Sequence, residues 1–235
     1  MKSSPIKATL DQHANGYRYN QDSFLLADFF RVARKGPIAD FCAGAGVVSI
    51  LIAGENPSQP VVALEINGSM AAMAARNAAI RDIKDYHVVV GDVMSAPRLF
   101  KGRPFSAIVS NPPYRRFGQG RLNPDPAKAL ARHEIRMTLR GLVEAAAGLL
   151  TPGGTLSLIM IMERLEEYRH ILSVAGFCES RHRPVCHYSH SPAKLFLSEA
   201  VLGQESSLVT EPPFILADEK GWSAEYKAVM DKHAR

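Results

Sequence analysis

Cysteine and long apolar runs are scarce in this 235-residue sequence. Its three cysteines, Cys42, Cys178 and Cys186, are an odd and sparse set, which argues against a disulfide framework and favours a reducing compartment. No apolar run approaches the length of a membrane span, and residues 1–16 lack the apolar core of a signal peptide. We therefore expect a cytoplasmic protein with no membrane association.

The composition fits one globular domain, because 46% of the residues are hydrophobic. The formal net charge of +5 permits an anionic partner without identifying one. No internal repeat or low-complexity tract interrupts the chain, and nothing indicates an obligate protein partner.

Short apolar segments alternate with helical segments along the middle of the chain. We predict strands at 37–42, 60–66, 86–92, 105–111 and 155–161, and helices directly after the first strand, at 70–82, within 125–150 and at 163–176. Strands rich in Val, Ile and Leu without polar alternation are typical of a parallel sheet that is buried on both faces. The pattern predicts a Rossmann-like, doubly wound α/β fold with a mostly parallel sheet. Segments 181–190 and 194–203 add a C-terminal antiparallel hairpin at the sheet edge, and we expect the residues after 205 to pack outside it.

The turn after the first predicted strand contains Gly44 and Gly46, preceded by Asp40 at the strand end. Glycines here let a ligand approach the backbone, and the start of the following helix offers free N–H groups. The spacing departs from G-x-G-x-x-G, because Cys42 stands where the first glycine would be. Many such turns bind nothing, so this turn alone does not identify a ligand.

Acidic residues follow the next two strands. Glu65 lies roughly 20 residues after the glycine turn, as expected of an acid that binds a ribose diol, and Asp92 is placed to accept a hydrogen bond from an adenine amino group. Each acid is also suited to capping a helix. Because the carboxyl ends of parallel strands share one edge, these acids and Asp40 together predict a nucleotide site there. An NAD site would require a clean three-glycine motif and no special corner after the fourth strand, and neither condition is met.

The fourth strand ends in a rigid polar corner, Asn111-Pro112-Pro113-Tyr114. An adenine amine is a poor nucleophile because its lone pair is delocalised into the ring. The Asn111 side-chain oxygen and the Pro112 carbonyl can accept both of its N–H groups, while Pro113 holds the backbone stiff. Tyr114 offers a flat face to an unstacked base. We expect Asn111 to orient the amine without accepting a proton; the alternative is a proline-terminated strand with a solvent-facing tyrosine.

Together, D-x-C-A-G-A-G, E-I-N, G-D-V and N-P-P-Y resemble the class I S-adenosylmethionine-dependent methyltransferases. The resemblance implies that the methionine end of the cofactor lies over the glycine turn, that Glu65 binds the ribose and that Asp92 meets the adenine. The implied cofactor-binding residues in this part of the chain are Asp40, Cys42, Gly44, Gly46, Glu65, Asp92 and Asn111.

The segment GYRYNQDSFLLADFF, residues 16–30, resembles the start of bacterial tRNA adenine-N6 methyltransferases that act beside the anticodon of a valine tRNA. The similarity continues through N-P-P-Y, His133-Glu134 and the C-terminal RPVCH segment, so it covers nearly the whole chain. It implies that Gln21 and Asp22 lie over the cofactor with Tyr19 nearby. Residues 1–36 would then be an N-terminal extension that covers the cofactor site, and residues 37–235 the methyltransferase domain. Gln21 and Asp22 also suit an N-cap of the following helix.

A basic surface is predicted beside the corner, because residues 112–140 contain seven Arg and Lys residues against two acids. Arg181, His182 and Arg183 add charge in the tail. Phosphates of tRNA would explain this distribution, whereas the plain alternative is a solvated helix face. The residues expected to bind RNA are Arg115, Arg116, Arg121, Lys128 and Arg132.

Other substrates remain open at this point. N-P-P-Y also serves glutamine N5 in proteins, and a related N-P-P corner serves guanine N2 in ribosomal RNA. Glutamine and DNA adenine methyltransferases usually carry an additional domain, for which we expect no room. A non-catalytic, cofactor-binding RNA-binding protein is a further alternative. We expect no metal site, because Cys178, His182 and Cys186 would be spaced about 13 Å apart along an extended strand.

Overall fold

The computed structural model describes residues 21–113 and 137–233. Its helices are α1 (Gln21–Phe29), α2 (Val47–Glu55), α3 (Gly68–Ile80), α4 (Ala96–Leu99), α5 (Leu139–Ala147), α6 (Leu165–Val174) and α7 (Ala224–His233), with 3-10 turns at Val93–Ser95 and Met162–Arg164. Its strands are β1 (Ile38–Phe41), β2 (Val61–Glu65), β3 (Tyr86–Val90), β4 (Phe105–Ser110), β5 (Leu150–Ile161), β6 (Phe177–Cys186), β7 (Ala193–Leu202), β8 (Val209–Thr210), β9 (Phe214–Ile215), β10 (Ala217–Asp218) and β11 (Gly221–Trp222).

The main sheet has the strand order β3-β2-β1-β4-β5-β7-β6-β8, and β9 also pairs with β6. Strands β1 to β5 pair in parallel, whereas β7 runs antiparallel to both β5 and β6. The predicted Rossmann-like, mostly parallel sheet with a C-terminal antiparallel hairpin is therefore confirmed. The hairpin's second strand lies next to β5, so the hairpin extends the sheet continuously.

Two apolar cores sandwich the sheet, because its central strands are buried on both faces. Every residue of β1 and β4 is buried. In β1, Ile38 belongs to the core formed with α1, α2 and α7, while its neighbour Ala39 belongs to the core formed with α5 and α6. This alternation explains why the strand sequences lack polar residues at every second position.

The Thr-Pro-Gly-Gly segment at 151–154, which follows the helix expected within 125–150, lies within β5. Phe105 of β4 pairs with Leu150, but Ala107 pairs with Thr155, so the intervening residues form an irregularity in the ladder. Gly153 adopts a left-handed φ of +76° there. Of the helix expected within 125–150, the structure describes Leu139–Ala147 as α5, and residues 125–136 lie outside the described residues.

The C-terminal tail belongs to the core that contains α1. Tyr226, Val229 and Met230 of α7 are buried there together with the apolar residues of α1. Lys232 reinforces this contact, because its Nζ lies 2.9 Å from carboxylates of both Asp28 and Glu55. The tail therefore packs onto α1. The division of the chain into an N-terminal extension, residues 1–36, and a main domain, residues 37–235, stays a prediction. Within residues 21–113 and 137–233, none of the helices combines the length and apolarity needed to cross a bilayer.

Candidate active site

The ends of β1, β2 and β4 bring the sequence motifs to one edge of the sheet. Phe41, the last residue of β1, pairs with Leu64 of β2 on one side and with Ser110 of β4 on the other. The Ser110 hydroxyl also donates a hydrogen bond to the Phe41 carbonyl at 2.7 Å. The glycine turn, Glu65 and Asn111 therefore lie at the carboxyl ends of three adjacent strands, at the edge where open α/β sheets bind ligands.

The turn between β1 and α2 uses left-handed backbone conformations, with φ of +65° at Cys42, +58° at Gly44 and +81° at Gly46. Gly46 is required sterically as well, because a Cβ there would lie 2.6 Å from the Tyr86 hydroxyl oxygen. A left-handed conformation costs a non-glycine residue about 1–2 kcal/mol. Cys42 stands where the first glycine of G-x-G-x-x-G would be, and it adopts a left-handed conformation that glycine adopts more easily.

Asp40 supports this turn from beneath. Its carboxylate is buried and accepts a hydrogen bond from the Ser49 N–H at 3.1 Å, in the first turn of α2. Burial raises the pKa of Asp40 to about 7. Asn77 of α3 holds the same turn, because its side-chain amide donates to the Ala45 carbonyl at 3.0 Å.

Glu65 is held directly against the glycine turn. One carboxylate oxygen accepts the Gly44 N–H and the other accepts the Asn67 N–H, both at 2.8 Å. Asn67 is the residue that caps α3, since its side chain accepts the N–H groups of Ser69 and Met70. The capping alternative for Glu65 is therefore wrong, and the carboxylate is fixed beside the turn.

Asp92, by contrast, does act as a cap. Its Oδ1 accepts the Met94 N–H at 2.9 Å at the start of the 3-10 turn. The capping interpretation of Asp92 is thus confirmed, and its contact with an adenine amino group stays a prediction. An acid can do both, because a carboxylate has two oxygens.

Asn111 directly follows β4 and is oriented by α1. Its side-chain Nδ2 donates a hydrogen bond to the Ser23 hydroxyl at 3.2 Å, and this bond fixes the orientation of the amide group. Pro112 is buried and Pro113 is exposed. Tyr114 lies outside the described residues, as do Tyr19 and the residues expected to bind RNA, Arg115, Arg116, Arg121, Lys128 and Arg132.

A cleft joins four of the sequence-predicted residues: Asp40, Cys42, Gly44 and Asn111. Its other lining residues were not predicted as site residues: Ser23, Ala45, Val47, Val48, Met70 and Met73. Met73 is buried in the apolar interior, and both it and Met70 line this cleft. The one signal for Ser23 was its place directly after Gln21-Asp22 in the segment that resembles tRNA methyltransferases.

The remaining predicted residues surround the cleft without lining it. Gly46 is the N-cap residue of α2, and Glu65 contacts the cleft through its hydrogen bond to Gly44. Gln21 and Asp22 are the first described residues of α1, and their place over the cofactor and their alternative role as an N-cap both stay predictions. An acid in the first turn of a helix is stabilising, which accounts for Asp22 on structural grounds alone.

The cleft has the character that S-adenosylmethionine requires. Gly44 presents backbone with no side chain, and a Cβ built there would meet only the Met70 methyl, in ordinary van der Waals contact at 3.8 Å. Val47 and Met73 supply apolar surface, while Asp40 supplies a carboxyl group. Apolar walls with a few fixed polar groups are typical of small-molecule sites.

The positively charged residues of the tail do not belong to this site. Arg181 forms ion pairs with Glu199 at 3.3 Å and Glu211 at 2.9 Å, and its guanidinium lies 4.1 Å from the centre of the Phe29 ring. Arg183 pairs with Glu225. The interpretation of these arginines as phosphate ligands is therefore wrong, because acids within the protein already neutralise them.

His182 is likewise committed to the interior. It is buried, its ring stacks on Phe196, and its Nδ1 lies 3.1 Å from Glu179 Oε1. Among residues 21–113 and 137–233, no three His, Cys, Asp or Glu side chains are grouped so as to hold a metal ion.

Comparisons with known proteins agree with this geometry. The family model described as methyltransferase small domain matches residues 17–181. The tRNA1(Val) (adenine(37)-N6)-methyltransferase of Porphyromonas gingivalis strain W83 is 32% identical over 197 residues, covering 81% of this chain and 76% of that protein. The enzyme of the same name from Bacteroides fragilis strain ATCC 25285 is 30% identical over 174 residues, covering 74% of this chain and 72% of that protein.

Solved structures show the same fold. A predicted O-methyltransferase from Agrobacterium tumefaciens aligns with a TM-score of 0.70 and 21% identity, covering 90% of this chain and 96% of that chain. A glycopeptide N-methyltransferase complexed with sinefungin aligns with a TM-score of 0.56 and 17% identity, covering 77% of this chain and 87% of that chain. With the family match across more than half of the sequence, these findings show that the chain belongs to the methyltransferase small domain family and is a class I S-adenosylmethionine-dependent methyltransferase.

Proposed function

We propose that this enzyme methylates N6 of an adenine in tRNA, at position 37 of a valine tRNA. The observation that carries the proposal is Asn111, which follows β4, lines the same cleft as the glycine turn and is held by Ser23 of α1. The names of the relatives from Porphyromonas gingivalis and Bacteroides fragilis support the same substrate. A tRNA substrate also supports a cytoplasmic location, as does the finding that Cys42, Cys178 and Cys186 form no disulfide within the described residues.

Asn111 orients the target amine. Its Nδ2 donates to the Ser23 hydroxyl, so the Oδ1 branch of the amide serves as the acceptor toward an adenine N–H. The bond to Ser23 fixes the rotation of the amide, so that the acceptor does not have to be reorganised when the base arrives. Ser23 is therefore a positioning residue, and Asn111 a catalytic one.

Pro112 supplies the second acceptor. Its carbonyl is held stiff because Pro113 fixes its own φ and has no N–H to donate. Two acceptors on the two N–H groups draw electron density back onto the nitrogen, which makes it more nucleophilic. No strong general base is needed, because the nitrogen becomes acidic as it is alkylated. Tyr114 stacks on the extruded base in this proposal.

The glycine turn and its supports hold the cofactor. When bound, S-adenosylmethionine supplies an electrophilic methyl group on a sulfonium. Gly44 offers a close backbone approach, and Asp40 offers a carboxyl group at the bottom of the cleft. Glu65, pinned by two backbone N–H groups, binds the ribose, and Asp92 meets the adenine.

The N-terminal extension completes the cofactor site. Ser23 in α1 lines the cleft, which supports a role for Gln21 and Asp22 two positions or fewer before it, with Tyr19 nearby. Basic residues after the corner contact tRNA phosphates in this proposal: Arg115, Arg116, Arg121, Lys128 and Arg132.

Methyl transfer to defined transcripts tests the proposal. Purified protein is incubated with methyl-labelled S-adenosylmethionine and valine tRNA, or with the same tRNA carrying guanine at position 37, and the nucleosides are separated after digestion. We expect N6-methyladenosine from the first transcript and none from the second. Labelling of ribosomal RNA or of a release factor in place of tRNA would contradict the proposal. Mass spectrometry of tRNA from cells with and without the gene extends the test to the cell.

A further inference from the structure

The turn between β6 and β7, residues 187–192, lies at the same edge of the sheet as Asn111. Strand β7 runs antiparallel to β5, with Ile161 at the carboxyl end of β5 paired with Leu195 near the start of β7. The last residue of β6, Cys186, pairs with Ala193. The turn therefore emerges from the edge at which β4 delivers the catalytic corner.

The turn presents a cluster of exposed rings. Tyr188 remains 38% exposed, although a tyrosine ring gains free energy from burial. The His187 ring meets it edge-on, with centroids 4.4 Å apart, and the His190 ring lies parallel to it at 5.5 Å. Both histidines are also exposed.

Hydrogen bonds hold this cluster in one conformation. The Ser191 N–H donates to the Tyr188 carbonyl at 3.0 Å, and the Tyr188 N–H donates to the Ser191 hydroxyl oxygen at 2.9 Å. The Ala217 N–H of β10 donates to the His187 carbonyl at 2.8 Å, which ties the turn to the tail. Such a site is pre-organised, so little conformational entropy is lost when a partner binds.

The sheet geometry gives the distance between the exposed rings of the β6–β7 turn and the corner at Asn111. Across the sheet, three strand spacings separate β4 from β6, which is about 14 Å. Along the strands, Ala193 lies five residues beyond the residue of β7 that is level with Ser110, which is about 17 Å. The end of β6 is thus about 22 Å from the end of β4, and the rings lie in the turn that follows it. This distance is too long for a contact with the target adenine and suits another nucleotide of the same RNA loop.

We propose that the β6–β7 turn is a second RNA-binding site, in which Tyr188 stacks on an unpaired base of the substrate. Exposed aromatic rings are the usual platforms for unpaired bases. Lys194, at the start of β7, then contacts a phosphate: it is exposed and has no ion pair within the described part of the chain. This inference rests on the proposed function, because it assumes an RNA substrate bound over the corner.

Equilibrium binding of valine tRNA tests the site directly and does not depend on turnover. Fluorescence anisotropy is measured with wild type, Tyr188→Ala and Tyr188→Phe, with Val174→Ala as control. Val174 is exposed at the end of α6, which returns to the opposite edge of the sheet. We expect Tyr188→Ala to raise Kd by about 5- to 100-fold, the range for loss of one stacked base. Tyr188→Phe keeps the ring, so it and the control should stay within about twofold of wild type.

The phosphate contact has its own readout. Lys194→Ala should lower the slope of log Kd against log salt by about 0.7, the value for one contact to a single strand. Lys101→Ala, an exposed lysine just before β4 at the opposite edge, should leave the slope unchanged. The melting temperature and the Kd for S-adenosylmethionine should match wild type in every variant.

The outcomes separate this inference from the proposed function. If Tyr188→Ala binds tRNA as tightly as wild type, the second site is wrong, while methylation of position 37 can still stand. If Tyr188→Phe loses as much affinity as Tyr188→Ala, the hydroxyl and not ring stacking makes the contact, which also overturns the inference. If the wild type methylates no tRNA, the proposed function fails whatever the Tyr188 variants bind.

Discussion

One added methyl group should have different main effects at two glycines of the same turn: it should mainly weaken cofactor binding at Gly44 and mainly lower stability at Gly46. Both are left-handed, with φ of +58° at Gly44 and +81° at Gly46. At Gly46, a Cβ would lie 2.6 Å from the Tyr86 hydroxyl, 3.0 Å from the Ala74 methyl and 3.1 Å from Ile50. At Gly44, the nearest atom would be the Met70 methyl at 3.8 Å.

The expected losses in stability follow from these distances. Alanine pays about 1–2 kcal/mol for the left-handed conformation at either position. Gly46→Ala adds about 1–3 kcal/mol for overpacking, because it would meet buried Ala74 and Ile50 as well as half-buried Tyr86. At about 2–4 °C per kcal/mol, the melting temperature should therefore fall by about 4–20 °C in Gly46→Ala and by about 2–8 °C in Gly44→Ala.

Cofactor binding should show the reverse order. The methyl group of Gly44→Ala projects into the cleft, so we expect its Kd for S-adenosylmethionine to rise about tenfold or more, which is about 1.4 kcal/mol. Gly46→Ala, measured by calorimetry well below its melting temperature, should bind more tightly than Gly44→Ala. Equal destabilisation by both variants, or wild-type affinity in Gly44→Ala, would refute the assignment of Gly44 to binding and Gly46 to packing.

Three further variants test other parts of the structure. Asn111→Ala should lower kcat by about 10²–10³-fold with the Kd for S-adenosylmethionine unchanged, because it removes a group aimed at the reacting amine; unaltered turnover would contradict its role. Burial raises the pKa of Asp40 from 3.8 to about 7, so between these values the folded protein keeps a proton that the unfolded chain has lost. The free energy of unfolding should accordingly fall by about 1.4 kcal/mol per pH unit as the pH rises through this window, and should level off above it. In urea titrations of Asp40→Asn, this fall in the free energy of unfolding with pH should be absent. Arg181→Met should cost about 3–5 kcal/mol by removing the cation that pairs with the buried carboxylate of Glu199 and the half-buried one of Glu211, and adding Glu199→Gln should restore part of that loss; reduced tRNA affinity without a loss in stability would instead favour a phosphate contact.

The strand sequences by themselves were enough to predict the sheet. Apolar runs at 37–42, 60–66, 105–111 and 155–161 are buried on both faces, so their hydrophobic pattern follows directly from their position. The same logic placed Glu65 beside Gly44, because residues that follow parallel strands must meet at one edge. Local sequence could not distinguish Glu65 from Asn67 as the cap of α3, since both residue types suit that role.

The tail shows most clearly where sequence reasoning stopped. Arg181 and Arg183 looked like phosphate ligands because their partners, Glu199, Glu211 and Glu225, lie between 18 and 42 residues away along the chain. An ion pair over such a separation is formed by the fold and leaves no local pattern.

The sequence alone therefore determined the order of the main strands and helices from β1 to β7, the glycine turn and the corner at Asn111, because each depends on backbone preferences and apolar periodicity within a few residues. The tertiary structure decided which groups face one another: Ser23 on Asn111, Glu65 on Gly44, and the tail arginines on internal acids. These pairings join residues from different elements, so they exist only once the sheet has brought those elements together.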